Sequence, residues 1–304
     1  MRAPAARMDR WVPSEQAGRI RISVQEGPPF SSIPVSLRRH AVRTAAVALA
    51  GVAGATMTAG SANAIINGRD ATEAYSFMAT VPVTYDGAAP PLKATCGGSL
   101  IDRRWVLTAA HCLVETRADG TVRIGSRQRT SGGTVRRIEQ TVIHPGYRVG
   151  DGSTRPNHND IALIRLDRPV GRQPIGLAHR PGRPGTPTRL LGFGTVVESP
   201  DHTKWVFAER LQQLDTRLGS AAECAPGYAD RTRLCTISRV PDAMACNGDS
   251  GGPQIQRGRH RAWELVGVTS GPGAPGVSCS KGPGLYTSVP AYAHWIHRTI
   301  SKNS

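Results

Sequence analysis

The chain is predicted to be an all-β protein, and three features of its sequence support this. Short runs rich in Val, Ile and Thr alternate with clusters of Gly, Pro, Asn and Asp from residue 65 onward. No long amphipathic helical pattern interrupts them, and only 5% of the residues are aromatic, so Val, Leu, Ile and Ala must build the core. Regular short strands separated by turns are typical of β-barrels and β-sandwiches. The 240 residues from 65 onward suffice for one large β unit or two small barrels.

The predicted strands form two sets, joined by a Pro- and Gly-rich connection at residues 173–187. The sets comprise residues 79–84, 98–101, 105–108, 121–124, 134–144 and 161–166, then residues 188–192, 212–216, 252–256, 263–270 and 284–289. Residues 290–300 begin with Pro290 and place Tyr292, Trp295, Ile296 and Thr299 at spacings of three and four residues. This pattern predicts a short C-terminal helix.

The first 64 residues have the pattern of an export signal. A positive patch at residues 38–43 precedes an apolar run at 45–59, and the sequence SANA, ending at Ala64, supplies an A-x-A cleavage site. The apolar run is shorter than the ~20 residues needed to cross a bilayer. We therefore expect secretion with cleavage near Ala64 and no retained membrane anchor. Residues 1–37 make an unusually long leading segment, and we hypothesise that translation starts inside it, near Met8 or Val35.

The chain carries a net charge of +16, and its arginines are scattered along the sequence. This distribution indicates a solvated basic surface, although short clusters such as residues 123–137 can favour anionic surfaces or acidic substrates. No helix-turn-helix pattern, zinc ligand set or aromatic stacking motif accompanies the charge. We therefore expect no nucleic-acid partner.

The six cysteines all lie after residue 95. An even number of cysteines fits an oxidising compartment and three disulfides, for which 15 pairings are open. Zinc binding is the competing interpretation, but no C-x-x-C or H-x-x-x-H spacing supports it.

The segment 248–253, which reads GDSGGP, places Ser250 on a glycine-flanked turn. A serine hydroxyl is a weak nucleophile unless a base activates it and a third group orients that base. Both partners are available as His111, in the sequence TAAHC, and Asp160, in the sequence DIAL. The order His, Asp, Ser is one of three unrelated orders in which a catalytic triad occurs.

At these residues the chain resembles the trypsin/chymotrypsin family of serine endopeptidases. The resemblance extends over most of the chain from residue 65 and rests on further motifs that occur in order: IING at 65–68, CGGSLI at 96–101, IHP at 143–145, GFG at 192–194 and GPGLY at 282–286. It implies two antiparallel six-stranded β-barrels and a short C-terminal helix. The barrels would cover residues 65–178 and 179–304, together forming one peptidase domain with the triad in the cleft between them.

The resemblance also implies residue roles. Ser250 would attack the carbonyl of a protein or peptide substrate, with His111 as the base and Asp160 orienting it. The backbone N–H groups of Gly248 and Ser250 would form the oxyanion hole, and Ser270 would support the triad aspartate.

Activation in the family depends on a newly freed N-terminus, which the resemblance assigns to Ile65. Its ammonium would insert beside Asp249, since a buried charge without a partner is very costly. We hypothesise that signal peptidase makes this activating cut. The family pattern further pairs the cysteines as Cys96 with Cys112, Cys224 with Cys235 and Cys246 with Cys279.

The substrate pocket departs from the trypsin pattern. Met244 stands at the pocket base, where trypsins have an aspartate, and Asp242 would need a local shift in register to replace it. Gly284 would keep one wall open, while Gly271 and Pro272 replace the usual tryptophan and glycine of the other. We therefore expect cleavage after apolar residues and not after Arg or Lys.

No metal or other cofactor is expected, because residues 126–134 lack the paired acids of the family's calcium loop. We expect a monomer that acts on proteins or peptides, with a proteinaceous inhibitor as a further partner to test. Two alternatives remain: a non-catalytic basic binding or adhesion protein on the same fold, and a processing protease of narrow specificity.

Overall fold

A computed structural model describes residues 65–86, 91–151 and 154–303. The export segment and the hypothetical translation start therefore lie outside the described residues. The strands are β1 (Arg69–Asp70), β2 (Met78–Tyr85), β3 (Leu92–Asp102), β4 (Trp105–Thr108), β5 (Arg117–Ala118), β6 (Thr121–Ile124), β7 (Thr134–Ile143), β8 (Ala162–Leu166), β9 (Gly176–Leu177), β10 (Pro187–Gly192), β11 (Gln212–Leu218), β12 (Arg233–Ser238), β13 (Pro253–Arg257), β14 (Trp263–Pro272) and β15 (Gly284–Ser288). The helices are α1 (His111–Val114) and α2 (Val289–Lys302), with short 3-10 turns at His202–Lys204 and Ala221–Glu223.

The first barrel consists of six antiparallel strands in the order β2, β3, β4, β8, β7 and β6, and β6 pairs back onto β2 to close it. Burial along β6 alternates, so that Val122 and Ile124 face the core while Thr121 and Arg123 do not. A pleated strand requires this period of two. Strand β4 is buried along its whole length, which places its end, and the residues that follow, at the interior of the molecule.

The second barrel has the order β11, β10, β13, β14, β15 and β12, and β12 pairs with β11 to close it. Its interior is partly polar: the Gln254 amide donates to the hydroxyls of Thr188 and Thr236 at 3.1 and 2.9 Å. Buried polar groups are tolerated when they are hydrogen-bonded in this way. Strands β1 and β9, which both precede residue 178, pair with β11 and β14 of the second sheet.

The prediction of two six-stranded antiparallel barrels with a C-terminal helix is confirmed. The bounds predicted for β4 and β6 match those of the structure, whereas β3 begins six residues earlier than predicted. Strand β12 was not predicted, although it closes the second barrel. Its first residue, Arg233, is buried and forms an ion pair with Asp230 at 2.8 Å. The buried positions of β12 therefore do not coincide with its apolar residues.

Helix α2 begins at Val289, one residue before the predicted start, and buries Tyr292, Ile296 and Thr299. The Tyr292 hydroxyl donates to Asn159 Oδ1 at 2.8 Å. The helix therefore supports the loop that ends at the candidate catalytic aspartate.

Three disulfides join Cys96 to Cys112, Cys224 to Cys235 and Cys246 to Cys279, the same pairs that the family resemblance implies. In the described part of the chain, no helix is both long and apolar enough to span a membrane. The same residues contain no cluster of three or more His, Cys, Asp or Glu side chains that could hold a metal ion.

Candidate active site

His111 stands at the start of α1, three residues after the last residue of buried strand β4. The Cys96–Cys112 disulfide anchors the next residue to β3. The backbone N–H of His111 donates to Asp160 Oδ1 at 3.0 Å, and its ring Nδ1 lies 2.8 Å from Asp160 Oδ2. Because Nδ1 faces a carboxylate, the proton of the neutral ring belongs on Nδ1, and Nε2 is left as the basic atom.

Asp160 precedes strand β8, and its side chain is 1% exposed. Its Oδ2 accepts hydrogen bonds from Ser270 Oγ at 2.6 Å and from Asn157 Nδ2 at 3.4 Å, and its carbonyl accepts from Thr287 Oγ1 at 2.8 Å. These contacts come from both barrels, so the carboxylate is positioned where the two barrels meet.

The pKa values of the pair shift in opposite directions. For Asp160, burial opposes ionisation, but attraction to His111 and hydrogen bonds from the His111 ring and Ser270 lower the pKa below its ordinary value. For His111, burial opposes the charged ring, but the Asp160 carboxylate raises its pKa above the ordinary value. The geometry thus stabilises an imidazolium beside a carboxylate.

Ser250 lies in the turn between Cys246 and strand β13. Its carbonyl accepts from the N–H of Gly97 at 2.7 Å, and a Cβ at Gly97 would come within 2.6 Å of the Gly252 Cα. Glycine at position 97 therefore allows the serine turn to pack directly on the first barrel.

Ser250 and His111 line the same cavity of about 380 Å³. In the described structure the Ser250 hydroxyl makes no hydrogen bond to the imidazole. Such catalytic hydrogen bonds are often long without substrate and tighten when substrate binds.

The candidate oxyanion hole is formed by the turn that precedes Ser250. Gly248 has φ +89°, a left-handed conformation that favours glycine, and a Cβ there would approach the Phe207 ring to 2.7 Å. Within the described ranges, the N–H groups of Gly248 and Ser250 donate to no protein acceptor. Both donors are thus free for a developing negative oxygen.

Asp249 points away from the cavity into the second barrel and is 1% exposed. Its carboxylate accepts from the N–H groups of Gly194 and Cys246 at 2.8 and 3.0 Å. Burial raises the pKa of Asp249 to about 7, although these two hydrogen bonds oppose the shift. The described residues supply no cationic partner for this carboxylate.

Ile65 is fully buried in the second barrel. It packs in an apolar cluster that also contains Met244 and Tyr286, and Ile66 forms an isolated β-bridge with Met244. The first described residue of the chain therefore lies in the same barrel interior as the pocket base.

Met244 is 2% exposed and accepts a weak hydrogen bond from the Tyr286 hydroxyl, 3.8 Å from its Sδ. It lines the cavity of His111 and Ser250 together with Ser270, Pro272 and Gly284. Asp242 does not line that cavity, because its carboxylate forms an exposed ion pair with Lys281 at 2.7 Å.

The structure places the predicted pocket residues on the cavity of His111 and Ser250 and hydrogen-bonds Asp160 to His111, whereas the described residues show no ion pair between Ile65 and Asp249. It also adds supporting residues that the sequence motifs did not indicate. Asn157 and Thr287 contact Asp160. Glu198 accepts from the N–H groups of Cys279 and Ser280 and from the Ser280 hydroxyl, and so supports the pocket wall. Glu198 lies more than 80 residues from these partners, and no local pattern marks it.

Two closed antiparallel barrels that place His111 and Ser250 on one cavity, with buried Asp160 hydrogen-bonded to His111, are the arrangement of a serine endopeptidase of the two-barrel class. The family model described as Trypsin matches residues 65–296. Human kallikrein-7 is 35% identical over 218 residues, which cover 68% of this chain and 78% of kallikrein-7. Human kallikrein-12 is 34% identical over 221 residues, which cover 69% of this chain and 82% of that relative.

A solved structure of mouse neuropsin, a serine protease expressed in the limbic system of the brain, superposes with a TM-score of 0.63 at 29% identity. It covers 78% of this chain and all of the neuropsin chain. The chain therefore belongs to the trypsin family. It is a serine endopeptidase, a hydrolase that acts on protein substrates.

Proposed function

We propose that the protein is a secreted endopeptidase that cleaves peptide bonds through an acyl-enzyme, using Ser250, His111 and Asp160 as its triad. The observation that best supports this proposal is that buried Asp160 accepts hydrogen bonds from both the backbone N–H and the ring of His111. The ring lines the same cavity as Ser250, and its Nε2 is left as the basic atom. The histidine is thus oriented at two points.

The proposed reaction follows from these positions. Ser250 Oγ attacks the substrate carbonyl while His111 Nε2 takes its proton, and the N–H groups of Gly248 and Ser250 stabilise the oxyanion. The imidazolium, stabilised by Asp160, then gives the proton to the leaving amine. Water, activated by the same histidine, hydrolyses the acyl-enzyme and restores Ser250.

A fluorophosphonate probe is expected to label Ser250 of the mature protein, because only an activated serine reacts at a useful rate. Labelling is followed by peptide mass mapping, with Ser250→Ala as the test variant and Ser99→Ala, a buried serine outside the cavity, as the matched control. Labelling that persists in Ser250→Ala would disprove the assignment of the nucleophile.

We further propose that the primary pocket prefers apolar side chains. Within the described part of the chain, Glu115 is the one acid that lines the cavity, and it accepts from the Tyr147 hydroxyl at 2.8 Å. An Arg or Lys side chain would therefore reach Met244 without a counter-charge, and an unpaired buried cation is costly.

Profiling of the mature enzyme on a peptide library is expected to return Leu, Met, Phe or Tyr before the cleaved bond. Met244→Asp is expected to lower kcat/KM for such substrates about tenfold or more, because the new carboxylate would be buried against the apolar side chain of the substrate. Met244→Leu, which conserves volume, serves as the control and should change kcat/KM less than about threefold. A wild-type profile dominated by Arg or Lys would overturn the proposal.

A processing protease of narrow specificity is the second candidate, favoured by Pro272 on the wall of the cavity. Proline has no N–H to donate, so this position offers an extended substrate one hydrogen bond fewer than the usual glycine. Digestion of unfolded casein by the mature enzyme separates broad from narrow cleavage.

A further inference from the structure

Two short basic tracts lie far apart in the sequence and outside the active site. Residues 179–183 read HRPGR and belong to the connection between the barrels, whereas residues 257–261 read RGRHR and form the turn between β13 and β14. Short tracts rich in Arg or Lys occur where proteins bind polyanions.

The side chain of Gln256 connects the two tracts. Its Oε1 accepts from the N–H of Gly182 at 3.2 Å, and its Nε2 donates to the carbonyl of Arg180 at 3.0 Å. The N–H of Ala178 also donates to the carbonyl of Leu265 on β14 at 3.0 Å. The first tract therefore runs beside the turn that carries the second.

Together the tracts border an open cavity of about 790 Å³. Its charged and titratable lining residues are His179, Arg180, Arg257, Arg259, His260 and a single acid, Glu264. Four exposed arginines of the two tracts, Arg180, Arg183, Arg259 and Arg261, form no ion pair with any described residue. Most of this positive charge is therefore not neutralised by the residues that the structure describes.

Among the arginines of the two tracts, Arg257 has a side chain that is held in place by contacts within the protein. Its guanidinium stacks on the Trp263 ring, 3.6 Å from the centroid, and donates to the carbonyl of Arg261 at 2.7 Å. Arg257, whose guanidinium lies 3.9 Å from a Glu73 carboxylate oxygen, also lines a second cavity of about 470 Å³ together with Arg189, Asp215 and Arg239. Arg189 is neutralised there by ion pairs with Asp215 at 2.8 Å and Glu73 at 3.1 Å. Among the described residues, exposed Arg239 is the cation of this second cavity that has no ion pair, and it extends the positive surface beyond the first cavity.

We propose that this surface, formed by residues 179–183 and 257–261, binds an anionic polysaccharide that carries sulfate or carboxylate groups. Guanidinium groups bind such groups through paired, charge-assisted hydrogen bonds. A linear polysaccharide repeats its charges along its length, which matches a surface that extends over two cavities.

The lining of the larger cavity disfavours the other polyanions. Among the described residues that line it, Ala262 has the one apolar side chain, so an acidic peptide would find no pocket for an anchoring side chain. Arg257 covers the Trp263 ring, which is therefore not free to stack on a nucleic-acid base.

The surface is separate from the active-site cavity, and the two share no lining residue. Strand β13 starts three residues after Ser250 and ends at Arg257, and its five residues span about 15 Å. A bound polysaccharide would therefore hold the enzyme while its active site stays open to substrate. Binding does not depend on catalysis, so the two proposals can fail independently.

The test measures binding of a heparin-derived dodecasaccharide and of a polyuronate fragment of equal length to the mature chain carrying Ser250→Ala. We expect salt-sensitive binding of at least one saccharide. The triple variant Arg180→Gln, Arg259→Gln, Arg261→Gln should weaken it about tenfold or more, because it removes three unpaired cations. With Ser250 restored, the variant should hydrolyse small peptide substrates at the wild-type rate, which verifies its fold.

The matched control is Arg103→Gln, Arg231→Gln, Arg298→Gln, which removes the same charge from exposed arginines elsewhere. Three outcomes would overturn the proposal: no binding of either saccharide, an equal loss in the control variant, or tighter binding of poly-glutamate or of a DNA oligonucleotide of matched charge. The saccharide that binds more tightly identifies the preferred anion.

Discussion

Replacing Asp160 by asparagine is expected to lower kcat about 10⁴-fold. The carboxylate accepts both the backbone N–H and the ring N–H of His111, whereas an asparagine amide can turn an N–H toward the ring. The ring would then carry its proton on Nε2 and could not accept the proton of Ser250. The measurement is kcat for a peptide substrate, normalised by titration of active sites.

The pH profile supplies a second measurement on the same variant. His111 must be neutral to act as a base, so kcat/KM falls as the pH drops through its pKa. Burial lowers that pKa, but Asp160 raises it above the ordinary value. In Asp160→Asn the residual activity should therefore persist to lower pH than in the wild type.

Asn157→Ala is the matched control, because Asn157 contacts the same Asp160 oxygen at a longer distance of 3.4 Å. We expect its kcat to stay within about tenfold of the wild type, since one weak hydrogen bond contributes about 1 kcal/mol. A kcat for Asp160→Asn within tenfold of the wild type would exclude Asp160 from the triad.

The second large effect is expected at the N-terminus of the mature chain. We propose that freeing Ile65 activates the enzyme, because buried Asp249 has a raised pKa and lacks a cationic partner within the described structure. A new ammonium at Ile65, which is buried in the same barrel, would supply that partner. Leaving a buried charge unpaired costs about 3–5 kcal/mol, which corresponds to a hundredfold or larger loss of activity.

Three refolded forms test this proposal: a chain that starts at Ile65, the same chain acetylated at Ile65, and a chain that starts at Ala64. We expect kcat/KM of the first to exceed that of the other two roughly a hundredfold or more. Asp249→Asn in the Ile65 chain should remove the advantage. Equal activity of all three forms would contradict the activation pair.

The stability of the acetylated form should also depend on pH. Its Asp249 has a pKa of about 7 when folded, against 3.8 ordinarily, so from about pH 4 to pH 7 the unfolded chain loses a proton that the folded chain keeps. The free energy of unfolding should therefore fall with rising pH across this window, by up to about 4 kcal/mol. Urea unfolding of Ser250→Ala chains measures the fall, which Asp249→Asn should abolish.

Much of the fold could be predicted because barrel strands carry their burial pattern locally. Strands β4 and β6 match their predicted bounds, since Val, Ile and Leu alternate or cluster there as a pleated strand requires. Strand β12 was not predicted because its first residue, Arg233, is a buried arginine. Its charge is neutralised by an ion pair with Asp230 that only the folded chain forms.

The family and the candidate residues Ser250, His111 and Asp160 could be inferred without a structure, because each residue stands in a short motif whose chemistry is local. Tertiary structure alone decided that Asp242 pairs with Lys281 outside the pocket, that Glu198 supports the pocket wall, and that the two basic tracts meet. These features depend on contacts between residues tens of positions apart. Such contacts follow from how the strands close into barrels, and no local pattern of residues encodes them.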